Sequence, residues 1–300
     1  MRSELTEDES NYIKTHSSFV QVDEHRLRVF HAPHLLVTKL PKPTPLIVFI
    51  HGLGGQINQF EPLLQYFGLV ADVLTLDLPG CGQSPLTDRR WGSYTTESLA
   101  NLVFRVIKGK VDGRKVVLIG HSLGTMIAGK VALSLGEQCL AVVLLCPKVE
   151  ISEKERKAIR LLTNLPEFVF DLLRKRDRAY APEFYAYNRG GIYSASVNRM
   201  VGPNVPESVR TQQLVWNLQS QTPTTLRMLK GARPLSREEW GRVIPPVLII
   251  AGELVDLLLV RLIFHRTKCV RQRMQRNYMR GYPKRRHRIS LLSRSLDMLS

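Results

Sequence analysis

Five short apolar runs set what this 300-residue chain can become: LIVFI (46–50), ADVLTLDL (71–78), KVVLIG (115–120), LAVVLLC (140–146) and PVLIIAG (246–252). Apart from Asp72, Thr75 and Asp77 in the second, they do not alternate apolar with polar, so both faces of each strand must be covered. That is the condition of a strand inside a parallel sheet. Three of the four intervals between them contain helical candidates, notably residues 95–108 and 124–135. Strands that alternate with helices predict an α/β fold with a mostly parallel sheet flanked by helices. Ahead of them, SFVQVDEHRLRVFH (18–31) alternates in two short runs around a polar turn, as a hairpin does.

One interval breaks the pattern. Residues 151–236 are charged and amphipathic, as in EKERKAIRLLTNL, PEFVFDLLRKRDR and PESVRTQQLVWNLQ, and are divided by Pro166, Pro182, Pro203, Pro206 and Pro223. They read as a helical insertion. The predicted organisation is a core segment at 18–150, the insertion at 151–236, a return to the core at 237–256 and a distinct tail at 257–300.

The tail stands apart by charge. The chain has 43 Lys and Arg against 26 Asp and Glu, a net +17, of which residues 257–300 contribute 12 basic groups and one acid, Asp297. The remainder is only mildly basic, so nucleic acid is not a predicted partner: the tail has Tyr278 and Tyr282 as stacking aromatics and no recognised nucleic-acid motif. No apolar run reaches the roughly 18–20 residues that span a bilayer. The N-terminal MRSELTEDESNYIKTH is polar and acidic, unlike a signal or transit peptide. Cys81, Cys139, Cys146 and Cys269 lack metal-ligand spacing and read as reduced thiols, which predicts a cytoplasmic location. No metal or organic cofactor is implied.

Three stretches carry chemistry. Gly120-His121-Ser122-Leu123-Gly124 lies between a strand and a helix. A serine on that sharp turn brings the residues two before and two after it into near contact, so both must be small, and the following helix aims its N-terminus at the site. On these residues alone Ser122 is either a nucleophile or part of a plain tight turn. His51-Gly52-Leu53-Gly54-Gly55 follows the first buried strand and is able to turn backbone N–H groups toward a substrate oxygen. The third is DLPGCGQS, with Asp77, Gly80, Gly82 and Ser84 shaping a turn.

In this order and spacing, HG-x-GG, D-x-x-G-x-G-x-S and G-H-S-x-G resemble the α/β-hydrolase superfamily, in its serine-nucleophile branch. The resemblance is strong over about 18–150 and extends to about 253. It implies a helical lid at 151–236 and hydrolysis of an ester or related acyl bond through an acyl-serine intermediate. By motif position Ser122 is the nucleophile, and the N–H groups of Leu53 and Leu123 form the oxyanion hole. His51, Gly52, Gly120, His121 and Gly124 support the two loops rather than carry protons. The lid's Phe168, Phe170, Leu172, Trp216 and Leu218 imply an apolar acyl substrate, or else pack against the sheet.

The acid and base fit the resemblance less well. Asp256, the predicted acid, stands one position later after Gly252 than the family's usual spacing; Glu253 and Glu150 are alternatives. The predicted base is His287, 31 residues beyond Asp256 but set among Lys284, Arg285, Arg286 and Arg288; His265 lies only nine residues beyond Asp256. The change of composition after Asp256 resembles either an alternative or misread C-terminus, or a genuine binding tail. A catalytically impaired hydrolase-fold binding protein is therefore the second reading of the whole chain.

Overall fold

The computed structural model describes residues 9–34, 44–148, 150–179, 190–198, 200–202, 204–251 and 290–291, the last pair as backbone. The hairpin is formed by β1 (Ser17–Val22) and β2 (His25–Ala32). The parallel strands are β3 (Leu46–Ile50), β4 (Asp72–Leu76), β5 (Val116–His121), β6 (Cys139–Leu145) and β7 (Val247–Ala251). A two-residue β8 (Ser290–Leu291) pairs antiparallel with β7. The described strands form one sheet in the order β1-β2-β4-β3-β5-β6-β7-β8.

Within β3 the side chains divide between two cores. Leu46, Val48 and Ile50 join Leu74, Leu76, Val116 and Leu118 on one face, beneath α3 (Thr96–Val111) and α4 (Leu123–Leu135). Ile47 and Phe49 join Phe30, Val73, Phe60 and Leu64 on the other, beneath α1 (Asn11–His16) and α2 (Glu61–Gly68). Every residue of β3 and β4 is buried, which explains why these runs hardly alternate. Asp72, the charged residue of β4, is held by the backbone N–H of His34 at 2.9 Å and the Arg114 guanidinium at 2.6 Å.

Strand order positions the site. The chain leaves β3 toward β4 on one side, then crosses back over β3 to enter β5 on the other. Loops leaving the carboxyl ends of β3 and β5 therefore diverge, and the crevice between them is where open α/β sheets bind ligands. The parallel register sets Ile50 beside Gly120, so His51 and His121 emerge at one level.

Between β6 and β7 the described residues form α5 (Glu153–Asn164), α6 (Glu167–Arg178), α7 (Ala195–Asn198), α8 (Glu207–Gln219) and α9 (Thr222–Gly231). A Ser152–Glu155 capping box starts α5, and Pro166 and Pro206 precede the first residues of α6 and α8. The short α10 (Arg237–Gly241) then sets Trp240 against α4, where a Cβ on Gly129 would meet the indole at 3.0 Å.

Phe49 is fully buried and packs its ring against Phe60 and Phe67, with centroids 5.2 and 5.9 Å away. Phe49→Ala is expected to lower stability by about 3–5 kcal/mol, read from urea denaturation.

Candidate active site

Ser122 links β5 to α4 with φ 52° and ψ −116°. No L-residue adopts that conformation without strain, a cost of order 1–3 kcal/mol that the surroundings must impose. They do so from both sides. The Ser122 N–H donates to the Leu145 carbonyl at 2.9 Å, and the Ser122 carbonyl accepts from the Thr125 N–H at 3.0 Å and its hydroxyl at 2.5 Å. The turn is so tight that a Cβ on Gly120 would lie 2.4 Å from the Gly124 carbonyl oxygen, and one on Gly124 would lie 2.2 Å from that of Ile50. No side chain fits at either position.

The loop after β3 presses on the same turn. A Cβ on Gly52 would meet the Ser122 Cβ and the His121 carbonyl oxygen, each at 2.9 Å, and would stand 3.4 Å from the Leu123 nitrogen. Gly52 thus lies against both the serine and the first N–H of α4. Leu53, the next residue, is half-buried and rests its side chain on the main core.

His51 holds this loop from beneath. Its ring is fully buried; Nε2 accepts from the Leu78 N–H at 2.9 Å, which leaves Nδ1 as the donor to the Gly52 carbonyl at 2.7 Å. Burial lowers its pKa from 6.5 to about 4, so the ring stays neutral and both nitrogens are committed. His121 is half-buried, and burial lowers its pKa too; the Gln59 amide reaches its Nδ1 at 3.4 Å.

Asp77 does more than shape its own turn. The buried carboxylate accepts from the Ile57 N–H at 2.7 Å and the Gln83 N–H at 2.9 Å, so it ties the end of the glycine loop to the third motif. Ser84 completes the tie, donating to the Asp77 carbonyl at 2.7 Å and accepting from the Arg28 N–H at 2.8 Å. Burial raises the Asp77 pKa from 3.8 to about 6. Reading the sequence assigned Asp77 a turn but missed its reach to Ile57, and Gln59 was missed altogether; the only signal was that each lies within or just beyond a glycine motif.

The structure brings Ser122, Leu123, Gly52, Leu53, His51 and His121 together at the carboxyl ends of β3 and β5. Asp256, Glu253, His265 and His287 lie outside the described residues, and Glu150 is exposed. Of the other histidines, His16, His25, His31 and His34 belong to α1 and β2 or just beyond, across β4 from the site. Phe168, Leu172 and Leu218 are solvent-exposed, whereas Phe170 and Trp216 are half-buried. Among the described residues there is no group of acidic, His or Cys side chains suited to a metal ion, and no helix is long and apolar enough to cross a membrane.

A family profile described as the alpha/beta hydrolase fold matches residues 45–254. The chain belongs to that family. An abhydrolase domain-containing protein of Schizosaccharomyces pombe is 34% identical over 217 residues, 69% of this chain and 57% of that protein. Lipid droplet hydrolase 1 of Saccharomyces cerevisiae is 31% identical over 136 residues, 39% of this chain and 35% of that protein. The matches thus span only part of these curated relatives' lengths. Among solved structures, a hydrolase from Pseudomonas aeruginosa PA01 superimposes with a TM-score of 0.57 at 16% identity, covering 79% of this chain and 80% of that one. The enol-lactonase from Burkholderia xenovorans LB400 gives 0.53 at 16% identity, covering 79% and 81%. These likenesses carry the fold; the chemistry has to come from the site.

The two buried groups oppose each other in pH. His51 takes up its proton near 6.5 when unfolded and near 4 when folded, so its share of stability is present above 6.5 and lost as pH falls through about 4. Asp77, raised to about 6, favours the folded state most below 3.8 and loses that share as pH rises through about 6. In an NMR titration of the folded chain, the His51 ring is expected to change near pH 4 and the Asp77 carboxyl near pH 6. A His51 midpoint near 6.5 would contradict the neutral, doubly bonded ring.

Proposed function

We propose that the chain is a serine hydrolase that cleaves an ester or related acyl bond through an acyl-Ser122 intermediate. The observation that carries this reading is the strained Ser122 backbone at the head of α4, with the Gly52 backbone packed against its Cβ. Strain of this kind persists where surrounding structure over-determines it, and it holds the hydroxyl clear of the strand and helix. A carbonyl brought to Ser122 would leave its oxygen within reach of the Leu123 N–H, at the positive end of α4, and of the Leu53 N–H in the adjoining loop. Two such donors stabilise the tetrahedral oxyanion that forms as serine attacks.

The attacking hydroxyl gives its proton to a base, which returns it to the leaving group. His51 is excluded by its two bonds, and His121 adjoins the serine on β5 with its Nδ1 toward Gln59. We assign the base to His287 and the acid that orients it to Asp256, with His265 and Glu253 the alternatives. The helices of 151–236 form the lid in this reading. Their α8–α9 turn lies on the glycine loop and on the turn after β4: Ser220 Oγ would be 3.5 Å from a Cβ on Gly54, and the Gln221 N–H donates to the Gly80 carbonyl at 3.4 Å. The likeness to lipid droplet hydrolase 1 favours an acyl substrate with an apolar portion.

A second reading, a binding protein on the same fold that lacks a base, is favoured by one observation. Among the described histidines, His51 is held by two bonds, His121 turns its Nδ1 to Gln59, and the others lie across β4 from the site.

A fluorophosphonate probe separates the two, because it reacts with an activated serine whatever the natural substrate. Rapid labelling that disappears in Ser122→Ala is expected, with His287→Ala slowing ester hydrolysis about ten-thousandfold. If the folded chain is not labelled, the binding-protein reading takes its place. If His265→Ala is the slow variant, the base is reassigned.

A further inference from the structure

Helix α6 is inside out. Its residues Glu167, Asp171 and Arg174 fall on one stripe, spaced by four and three, and that polar stripe faces the protein. Glu167 pairs with Arg227 of α9 at 2.7 Å, Asp171 accepts from the Thr222 hydroxyl at 2.8 Å, and Arg174 donates to Thr222 at 3.0 Å and to the Ser220 carbonyl at 3.2 Å. Asp177, near the C-terminal end, accepts from the N–H groups of Ala195 and Ser196 at 3.0 and 3.2 Å.

The opposite face carries three apolar side chains, whereas Val169 and Phe170 are half-buried. Phe168 is 73% exposed, Leu172 65% and Leu173 49%, and no residue of α6 is fully buried. On an ordinary surface helix the two faces would be reversed. All three acids of α6 point inward or sideways to partners, whereas Arg176 and Lys175 are exposed beside the leucines; Lys175 also reaches back to Asp171 at 2.8 Å. The neighbouring α5 packs on α9 as well, with Thr163 buried, and presents Leu161, 69% exposed, among exposed Lys154, Lys157 and Arg160.

We infer that the outer face of α5 and α6 docks on an anionic lipid surface. Aliphatic and aromatic side chains ringed by lysine and arginine, with the acids of α6 drawn to partners and the basic residues outnumbering the exposed Glu153 of α5, match an interface whose interior is apolar and whose headgroups are negative. A protein partner would accept the apolar side chains equally well, but nothing about it would demand that the acids leave the face. Docking needs no chemistry at Ser122, so it stands or falls apart from the proposed reaction.

The test is sedimentation of the full chain with vesicles of phosphatidylcholine alone or with phosphatidylserine in equal parts. Leu172→Asp and Phe168→Asp are the variants, with thermal unfolding to confirm that each is folded. The wild type is expected to sediment with the mixed vesicles. Each variant is expected to lose about tenfold of that affinity, the scale of withdrawing one large apolar side chain from an apolar phase. Arg176→Glu should weaken binding in a way that added salt abolishes. Three results overturn the inference: a wild type that stays in solution with both vesicles; variants that sediment as the wild type does, which would place attachment in the basic residues 257–300; and a wild-type oligomer that Leu172→Asp dissociates, which would make the face a protein interface.

Discussion

The reaction proposed for this chain depends on how closely two loops approach at the carboxyl ends of β3 and β5. The approach is possible because Gly52, Gly120 and Gly124 have no Cβ; at each, an added carbon would sit 2.9 Å or less from a neighbouring backbone oxygen. The parallel register of the two strands delivers the loops to one level, and the sheet's change of direction there keeps other connections out of the crevice. With the glycines in place, the backbone of Ser122 is left a conformation that no residue would choose alone. The strain is balanced by the two buried cores on which β3 and β5 rest.

The loops are fixed by polar groups taken out of water. His51 and Asp77 each accept backbone N–H groups from a segment distant in sequence, and burial keeps the first neutral while pushing the second toward neutrality. Each is a bonded group with little left for proton transfer. This arrangement makes the oxyanion loop rigid before any substrate arrives, which is what electrostatic stabilisation of a transition state requires. The helices between β6 and β7 add a second layer: Ser220, Gln221 and Thr224 rest on the glycines of the second and third motifs, and Arg227 reaches the Arg89 carbonyl at 2.7 Å.

Much of this was legible in the sequence because it is steric or periodic. Near-continuous apolar runs marked the buried strands, and the charged, proline-divided interval marked the helices that interrupt them. The Gly-x-Ser-x-Gly spacing encodes the contact of Gly120 with Gly124, which needs no knowledge of the rest of the chain, although Gly124 also presses on Ile50. Two things were not legible. The direction in which α6 faces could not be read from its own pattern, because amphipathicity gives two faces without saying which is inside; partners on α9, some 45–60 residues later, turned the polar stripe inward. Nor could the double role of Asp77, since its contact with Ile57 joins separate motifs. The helix at Asn11–His16, capped by Ser10, was read only as polar sequence. Acid and base assignments rest on sequence position alone, because both lie beyond β7.

The central claim is that Ser122 forms a covalent bond to the substrate's acyl group. The most direct measurement mixes the chain rapidly with a p-nitrophenyl ester and follows p-nitrophenol release, then locates any adduct by peptide mass spectrometry. The account expects a burst stoichiometric with protein and an acyl group on the peptide containing Ser122. Steady hydrolysis with no adduct, or release that survives Ser122→Ala, would contradict it.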